Sequence, residues 1–218
     1  MGDRPAEHLE TELKFEVGPD FALPDLGGLA NGSAVTGPEV RLLAASYFDT
    51  ADLRLAAAGI TLRRRTGGAD AGWHLKLPAD ADTRRELRVP LGDANTGVPP
   101  QLASLVSGWL RDEPLQVVAV LETRRTVRYL TAAGETLAEV ADDLVTGRVP
   151  GPPYAWAEPV VWREIEVELV AGGPQILAAA NSRLTAAGAT PSSSASKLSR
   201  LLAAPSAGNP PREPRPMP

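Results

Sequence analysis

From residue 8 the chain reads HLETELKFEV, with a polar residue at every second position: His8, Glu10, Glu12, Lys14 and Glu16. Leu9, Leu13, Phe15 and Val17 fill most of the places between. A period of two is the mark of a β-strand with two unlike faces. The same alternation, bounded by turn residues, predicts about eight strands, near 8–17, 40–48, 59–66, 72–78, 83–89, 116–130, 134–145 and 160–170. Gly67-Gly68, Pro78, Gly92, Gly134 and the run 147–153 (GRVPGPP) punctuate them. Two stretches have helical character instead. One is 99–112, opening on prolines whose fixed φ suits a first turn; the other is 174–187, stopped by Gly188. A short third helix, SASKLSRLL, starts near Ser194 among good N-cap residues. Many strands with few helices imply a mainly β, α+β fold: an antiparallel sheet that closes or nearly closes, with helices packed outside. Residues 205–218 hold six prolines in fourteen positions and read as an extended or disordered linker after a domain spanning 1–204.

The polar faces carry an unusual amount of charge. One parity of 8–16 gives Glu10, Glu12 and Lys14; ITLRRRT gives Thr61, Arg63 and Arg65; WHLKLP gives His74 and Lys76; RRELRV gives Arg84, Glu86 and Arg88; LETRRTVRY gives Glu122, Arg124, Thr126 and Arg128; WREIEVELV gives Glu164, Glu166 and Glu168. A single such face is ordinarily a solvated one. Here the carboxylates gather on the first and last strands and the cations on the middle ones. Side chains at i and i+2 stand about 6–7 Å apart on one face. Like charges held that close repel unless an opposite charge lies between them. Paired carboxylates suit a hard divalent cation such as Mg²⁺ or Mn²⁺. Converging Arg and Lys suit a polyanion, Arg gripping phosphate oxygens bidentately and Lys acting as a point charge. A sheet closed with these faces inward becomes a polar tunnel with metal on one side and phosphate on the other, which points to phosphoryl chemistry or polyphosphate binding.

Composition narrows the field. The 218 residues carry a net charge of −5, with 43% hydrophobic residues, 5% aromatics and no cysteine. Disulfides and thiolate metal sites are therefore excluded. The acidic balance and scarcity of rings argue against a nucleic-acid binder. No stretch has the roughly 18 apolar residues of a membrane-spanning helix, and the first residues lack the apolar core of a secretory signal, so the expected location is cytoplasmic. Nineteen arginines stand against three lysines, Lys14, Lys76 and Lys197. Lysines so rare mark places where a compact ammonium is needed rather than a planar fork.

These motifs together resemble the CYTH domains, also called triphosphate tunnel metalloenzymes. The resemblance rests on HLETELK as an E-x-E-x-K signature, SYFDT at 46–50, LRRR at 62–65, WHLKLP at 73–78, REIEVEL at 163–169 and SKLSR at 196–200, in the family's order over residues 8 to about 204. It implies an eight-stranded antiparallel closed barrel whose lumen binds a triphosphate and one or two divalent metals. Carried over by position, it implies that Glu10, Glu12, Glu166 and Glu168 help hold Mg²⁺ or Mn²⁺, with Glu164 allowed by a second register of the E-x-E-x-E run. Glu86 and Glu139 look like lumen carboxylates; Asp142 and Asp143 compete for one further position, where parity with Glu139 favours Asp143. Lys14, Arg63, Arg65, Lys76, Arg124, Lys197 and Arg200 look like the triphosphate clamp, with Lys14 and Arg124 also in a catalytic role beside Glu10 and Glu12. One departure stands out: where some members carry K-x-R, this chain reads Glu122-Thr123-Arg124. The expectation is a metal-dependent hydrolase of inorganic triphosphate or related tripolyphosphates. The alternatives are a polyphosphate-binding module without turnover, as in chains where a helical CHAD domain follows the CYTH domain, or the family's thiamine triphosphatase and adenylate cyclase activities. A lipocalin-like barrel for apolar ligands is disfavoured by the ionic face. His8 and His74 are too few for a zinc site and are expected as supporting partners.

Overall fold

A computed structural model describes residues 5–80, 83–92, 97–151 and 155–204. Its elements run β1 (Ala6–Val17), β2 (Ala34–Asp49), α1 (Arg54–Ala57), β3 (Thr61–Thr66), β4 (Gly72–Pro78), β5 (Thr83–Val89), α2 (Pro100–Leu110), β6 (Gln116–Ala132), β7 (Glu135–Arg148), the two-residue strands β8 (Pro150–Gly151) and β9 (Ala155–Trp156), β10 (Val160–Leu169), α3 (Pro174–Ala186), β11 (Thr190–Pro191) and α4 (Lys197–Ala203). All eight expected strands and three expected helices are present. β2 begins at Ala34 rather than near 40, because its outer arm pairs with the end of β6 across a bulge between Thr36 and Glu39. The four-residue α1 has no apolar period long enough to announce it. The proline-rich 205–218 stretch lies outside the described residues.

The long strands hydrogen-bond in the order β10-β7-β6-β2-β3-β4-β5-β1, and β1 returns to pair with β10, so an eight-stranded antiparallel barrel closes on itself. β1 divides its length between two neighbours. Ala6–Thr11 pair with β5, and Glu12–Val17 pair with β10, Glu12 facing Glu168 and Glu16 facing Glu164. The hairpin from β6 to β7 turns on Ala133 and Gly134, both at positive φ (50° and 85°), as a two-residue turn matched to strand twist requires.

The apolar residues form three clusters. One lies outside β1, β6, β7 and β10, where Phe15, Ile165 and Val167 pack under Ile176, Ala180 and Leu184 of α3. A second lies outside β3, β4 and β5, where Leu62, Trp73 and Leu75 pack under α1 and α2 through Leu55, Leu102 and Val106. The third stands at one end of the barrel: Tyr47, Leu121, Val145 and Trp162 meet Leu198 and Leu201 of α4. Gly147 leaves room for α4 there, since a Cβ would fall 2.9 Å from a methyl of Leu201. Burying two leucine side chains contributes roughly 3–6 kcal/mol, which seats α4 as a stopper. Ser196 starts this helix by accepting from the Ser199 amide at 3.0 Å, while Ser199 Oγ accepts from the Ser196 amide at 2.9 Å.

Candidate functional site

Between the stopper and the open end lies a cavity of about 400 Å³. Its wall is built by parity. Glu10, Glu12 and Lys14 come from β1, Arg63 and Arg65 from β3, Lys76 from β4, Arg84 and Arg88 from β5, Thr123 and Arg125 from β6, Glu139 from β7, and Glu166 and Glu168 from β10; Lys197 enters from the stopper. The ionic faces of the sequence thus converge inward, while the opposite parity packs under the helices. All three lysines line this cavity.

Most of its charges are already paired, within strands and across them. Lys76 contacts Glu10 and lies 3.8 Å from Glu86, Arg88 contacts Glu86 and lies 3.2 Å from Glu10, and Lys14 contacts Glu12 and lies 3.5 Å from Glu166. At the stopper end Lys197 Nζ sits 2.9 Å from Asp143, 2.7 Å from Glu164 and 2.8 Å from Glu166. Arg125 reinforces it with Asp143 at 2.7 Å and Glu166 at 2.6 Å. Burial alone would raise the Glu166 pKa, but Lys197, Lys14 and Arg125 outweigh it and hold the carboxyl well below the usual range. Arg200, stacked 5.4 Å over the Trp162 ring, lies 3.5 Å from Glu16 and 3.7 Å from Glu164, behind this cluster rather than in the cavity wall.

Among the described residues of the wall, two deeply placed features stand out as uncompensated. Arg63 and Arg65 each keep a buried Nε–H without an acceptor. For Arg65, burial and then the neighbouring Arg63 and Arg125 push the pKa down to about 9. On the other side Glu168 makes no ion pair with any described residue. Burial, and then the negative charge of Glu10, Glu12 and Glu166, raise its pKa to about 7, against the pull of Lys76.

The acidic residues therefore fall into two groups with different fitness for a metal. Asp143, Glu164 and Glu166 offer oxygens within 4.8 Å of one another, but the Lys197 ammonium already fills that position. Glu168 stands opposite Glu12 in register and feels the charge of Glu10; those two are already paired with Lys14 and with Lys76 and Arg88, so Glu168 carries the unbalanced negative charge. A hard divalent cation, which takes oxygen ligands and relieves like-charge repulsion, would balance Glu168, with Glu12 and Glu10 as the neighbouring carboxylates.

Asp143 is fully buried and faces inward, whereas Asp142 faces out and pairs with Arg163 at 2.8 Å. Glu86 is fully buried behind the wall, held by His74 Nδ1 at 2.8 Å, and Glu139 lies 3.7 Å from Arg125. His74 also places Nε2 2.9 Å from the Asp70 carbonyl; burial pushes its pKa down to about 4. Asp49 accepts from the Leu55 and Ala56 amides at 2.9 Å and caps α1. Arg124 requires correction. It is exposed on the outer wall with Glu122, and Thr123 and Arg125 face the cavity instead. The alternation counted from Glu122 is one residue out of step, because Leu121 belongs to the lumen at its apolar end. The tunnel position two before the inward arginine is therefore Thr123. Sequence reasoning missed Arg125, Tyr47 and Asp70; Arg125 alone left a signal, as the second arginine of an Arg-Arg pair.

Comparison with known proteins agrees with this architecture. The family model of the CYTH domain matches residues 8–202. The uncharacterized protein Rv2226 of Mycobacterium tuberculosis is 43% identical over 98% of this chain, which spans 44% of that relative's length. An adenylate cyclase-like protein of Bacillus halodurans superposes with a TM-score of 0.54 at 18% identity, covering 89% of this chain and 97% of that one. The PH1819 protein of Pyrococcus horikoshii gives 0.51 at 16% identity, over 88% and 98%. These two structures share the fold. With a closed barrel, an inward ionic wall and a family match over nearly all the described residues, the chain belongs to the CYTH domain family.

Proposed function

We propose that the tunnel binds inorganic triphosphate or a related tripolyphosphate and hydrolyses a phosphoanhydride bond with the help of Mg²⁺ or Mn²⁺. The observation that carries this reading is the pair of unsatisfied features facing one cavity: buried guanidinium donors on β3 and the unbalanced carboxylate of Glu168 on β10. A polyanion with a divalent cation meets both needs together. Arg63, Arg65 and Arg125 are placed to grip phosphate oxygens, and Lys14 and Lys76, sharing carboxylates with the metal side, orient the chain between the walls. Glu10, Glu12 and Glu168 would hold the ion. When bound, such an ion supplies Lewis-acid charge against the phosphate oxygens. Lys197 and the α4 leucines keep water from that end of the tunnel and define where the ligand stops.

A second reading, tight polyphosphate binding without turnover, is favoured by Thr123, which puts a neutral hydroxyl where some family members place a lysine. Phosphate release from inorganic triphosphate, measured with no metal, with Mg²⁺ and with Mn²⁺, separates the two. Hydrolysis requires metal and is lost in Glu10→Ala. Release no faster than in that variant with either metal, while triphosphate still binds, sinks the enzyme reading and leaves the binding module.

A further inference from the structure

The β3–β4 turn reaches back over the tunnel. It reads Thr66-Gly67-Gly68-Ala69-Asp70, and its shape depends on two glycines at φ +78° and +75°. A Cβ on Gly67 would lie 2.0 Å from the Leu42 carbonyl oxygen, so no other residue permits this course. The turn delivers Ala69 and Asp70 into the cavity wall. There the Asp70 carboxylate pairs with Arg65, and the Asp70 carbonyl rests 2.9 Å from His74 Nε2. Among the described residues lining the cavity, Asp70 is the one carboxylate carried by a turn; the others stand on strands. Its side chain is 33% exposed, against 9% for Arg65.

We infer that Asp70 is a built-in anion that occupies Arg65 in the ligand-free tunnel and gives way to a phosphate group of the incoming ligand, so that it sets the affinity of the site. The inference rests on the proposed phosphate-binding tunnel and adds to it a residue that the charge pattern does not include. Arg65 is crowded by Arg63 and Arg125 and buried from water, so without an anion it is costly to keep charged. A strand-borne carboxylate would satisfy it permanently and block the site. A carboxylate on a glycine turn satisfies it and can still leave. Arg65 retains an unpartnered Nε–H even with Asp70 in place, which leaves a donor for the ligand that Asp70 does not reach. The ligand must displace Asp70, so its apparent affinity is lowered by the strength of that contact.

Calorimetric titration of the full chain with inorganic tripolyphosphate, in chelator and without divalent metal, tests this apart from catalysis. Wild type is expected to bind, and Asp70→Asn to bind about fivefold more tightly, the scale of one partly exposed ion pair. In an Arg65→Gln background the Asp70→Asn substitution is expected to change nothing. Asp70→Ser, which cannot mimic a carboxamide contact, should tighten binding like Asp70→Asn. Wild-type binding with unchanged or weaker affinity in both Asp70 variants overturns the inference and leaves the anion site standing. Absence of binding in wild type and both variants overturns the anion site and this inference with it.

Discussion

Replacing Lys197 with Met tests whether the stopper end is a genuine charge cluster. The ammonium lies 2.7–2.9 Å from three carboxylates and is 9% exposed. At an effective dielectric of 20, each contact at this range is worth about 6 kcal/mol of attraction. Desolvation of the ammonium and repulsion from Arg125 offset most of that sum. What the variant loses is compensation: Asp143, Glu164 and Glu166 stay buried with Arg125 and the more distant Lys14 and Arg200 as their remaining cations. Removing one partner of a buried ion cluster costs about 3–5 kcal/mol. At about 2–4 °C per kcal/mol for a domain of this size, Lys197→Met should melt about 10 °C below wild type at pH 7. Lys197 helps depress the Glu166 pKa, and such a carboxylate contributes stability above its unfolded pKa that is lost as pH falls. The gap should therefore be widest at neutral pH and narrow below about pH 4.5. The vacated carboxylates should also take a metal, so Mn²⁺ should raise the melting temperature more in the variant than in wild type. Thermal denaturation across pH, with and without Mn²⁺, reads all three effects. A variant melting within about 2 °C of wild type at pH 7 refutes the cluster.

The inward and outward arginines of β6 should separate cleanly: Arg125→Gln should weaken tripolyphosphate binding at least about tenfold, the scale of a lost charge-assisted contact, while Arg124→Gln leaves it unchanged by calorimetry. Equal losses would mean that the outer wall, not the tunnel, binds the anion. Glu168, with its pKa raised to about 7, holds a proton below that pH, and a metal must displace it. The apparent Mn²⁺ affinity should fall about tenfold per unit as pH drops from 7 to 5, and this slope should flatten in Glu168→Gln.

Much of the barrel was legible in the sequence because period-two alternation reports strands whichever face is buried. The inward turn of the charged face was legible because both signs recurred on one parity of several strands. What could not be read was where that parity changes character. At the stopper end the lumen becomes apolar to seat Leu198 and Leu201, so Leu121 belongs inside although it looks like an outward residue. Counting from the adjacent Glu122 then put Arg124 in the tunnel and Arg125 outside. The split of the acids into a filled cluster and an open one was hidden for a different reason. It depends on the reach of Lys197 from a helix distant in sequence from β1, and E-x-E-x-E spacing carries no trace of it. Asp70 was silent because a turn residue has no periodicity to betray the side it faces.

The seam between β1 and β10 has a thermodynamic consequence. Glu12 and Lys14 stand on one side of it and Glu166 and Glu168 on the other, joined by six residue pairs from opposite ends of the domain. No partly folded chain with that seam open possesses the site. Anything bound there counts only closed barrels and shifts the folding equilibrium toward them by mass action, about 2.7 kcal/mol at a ligand concentration one hundred times its Kd. Ligand occupancy and barrel closure are in that sense one equilibrium observed from two directions.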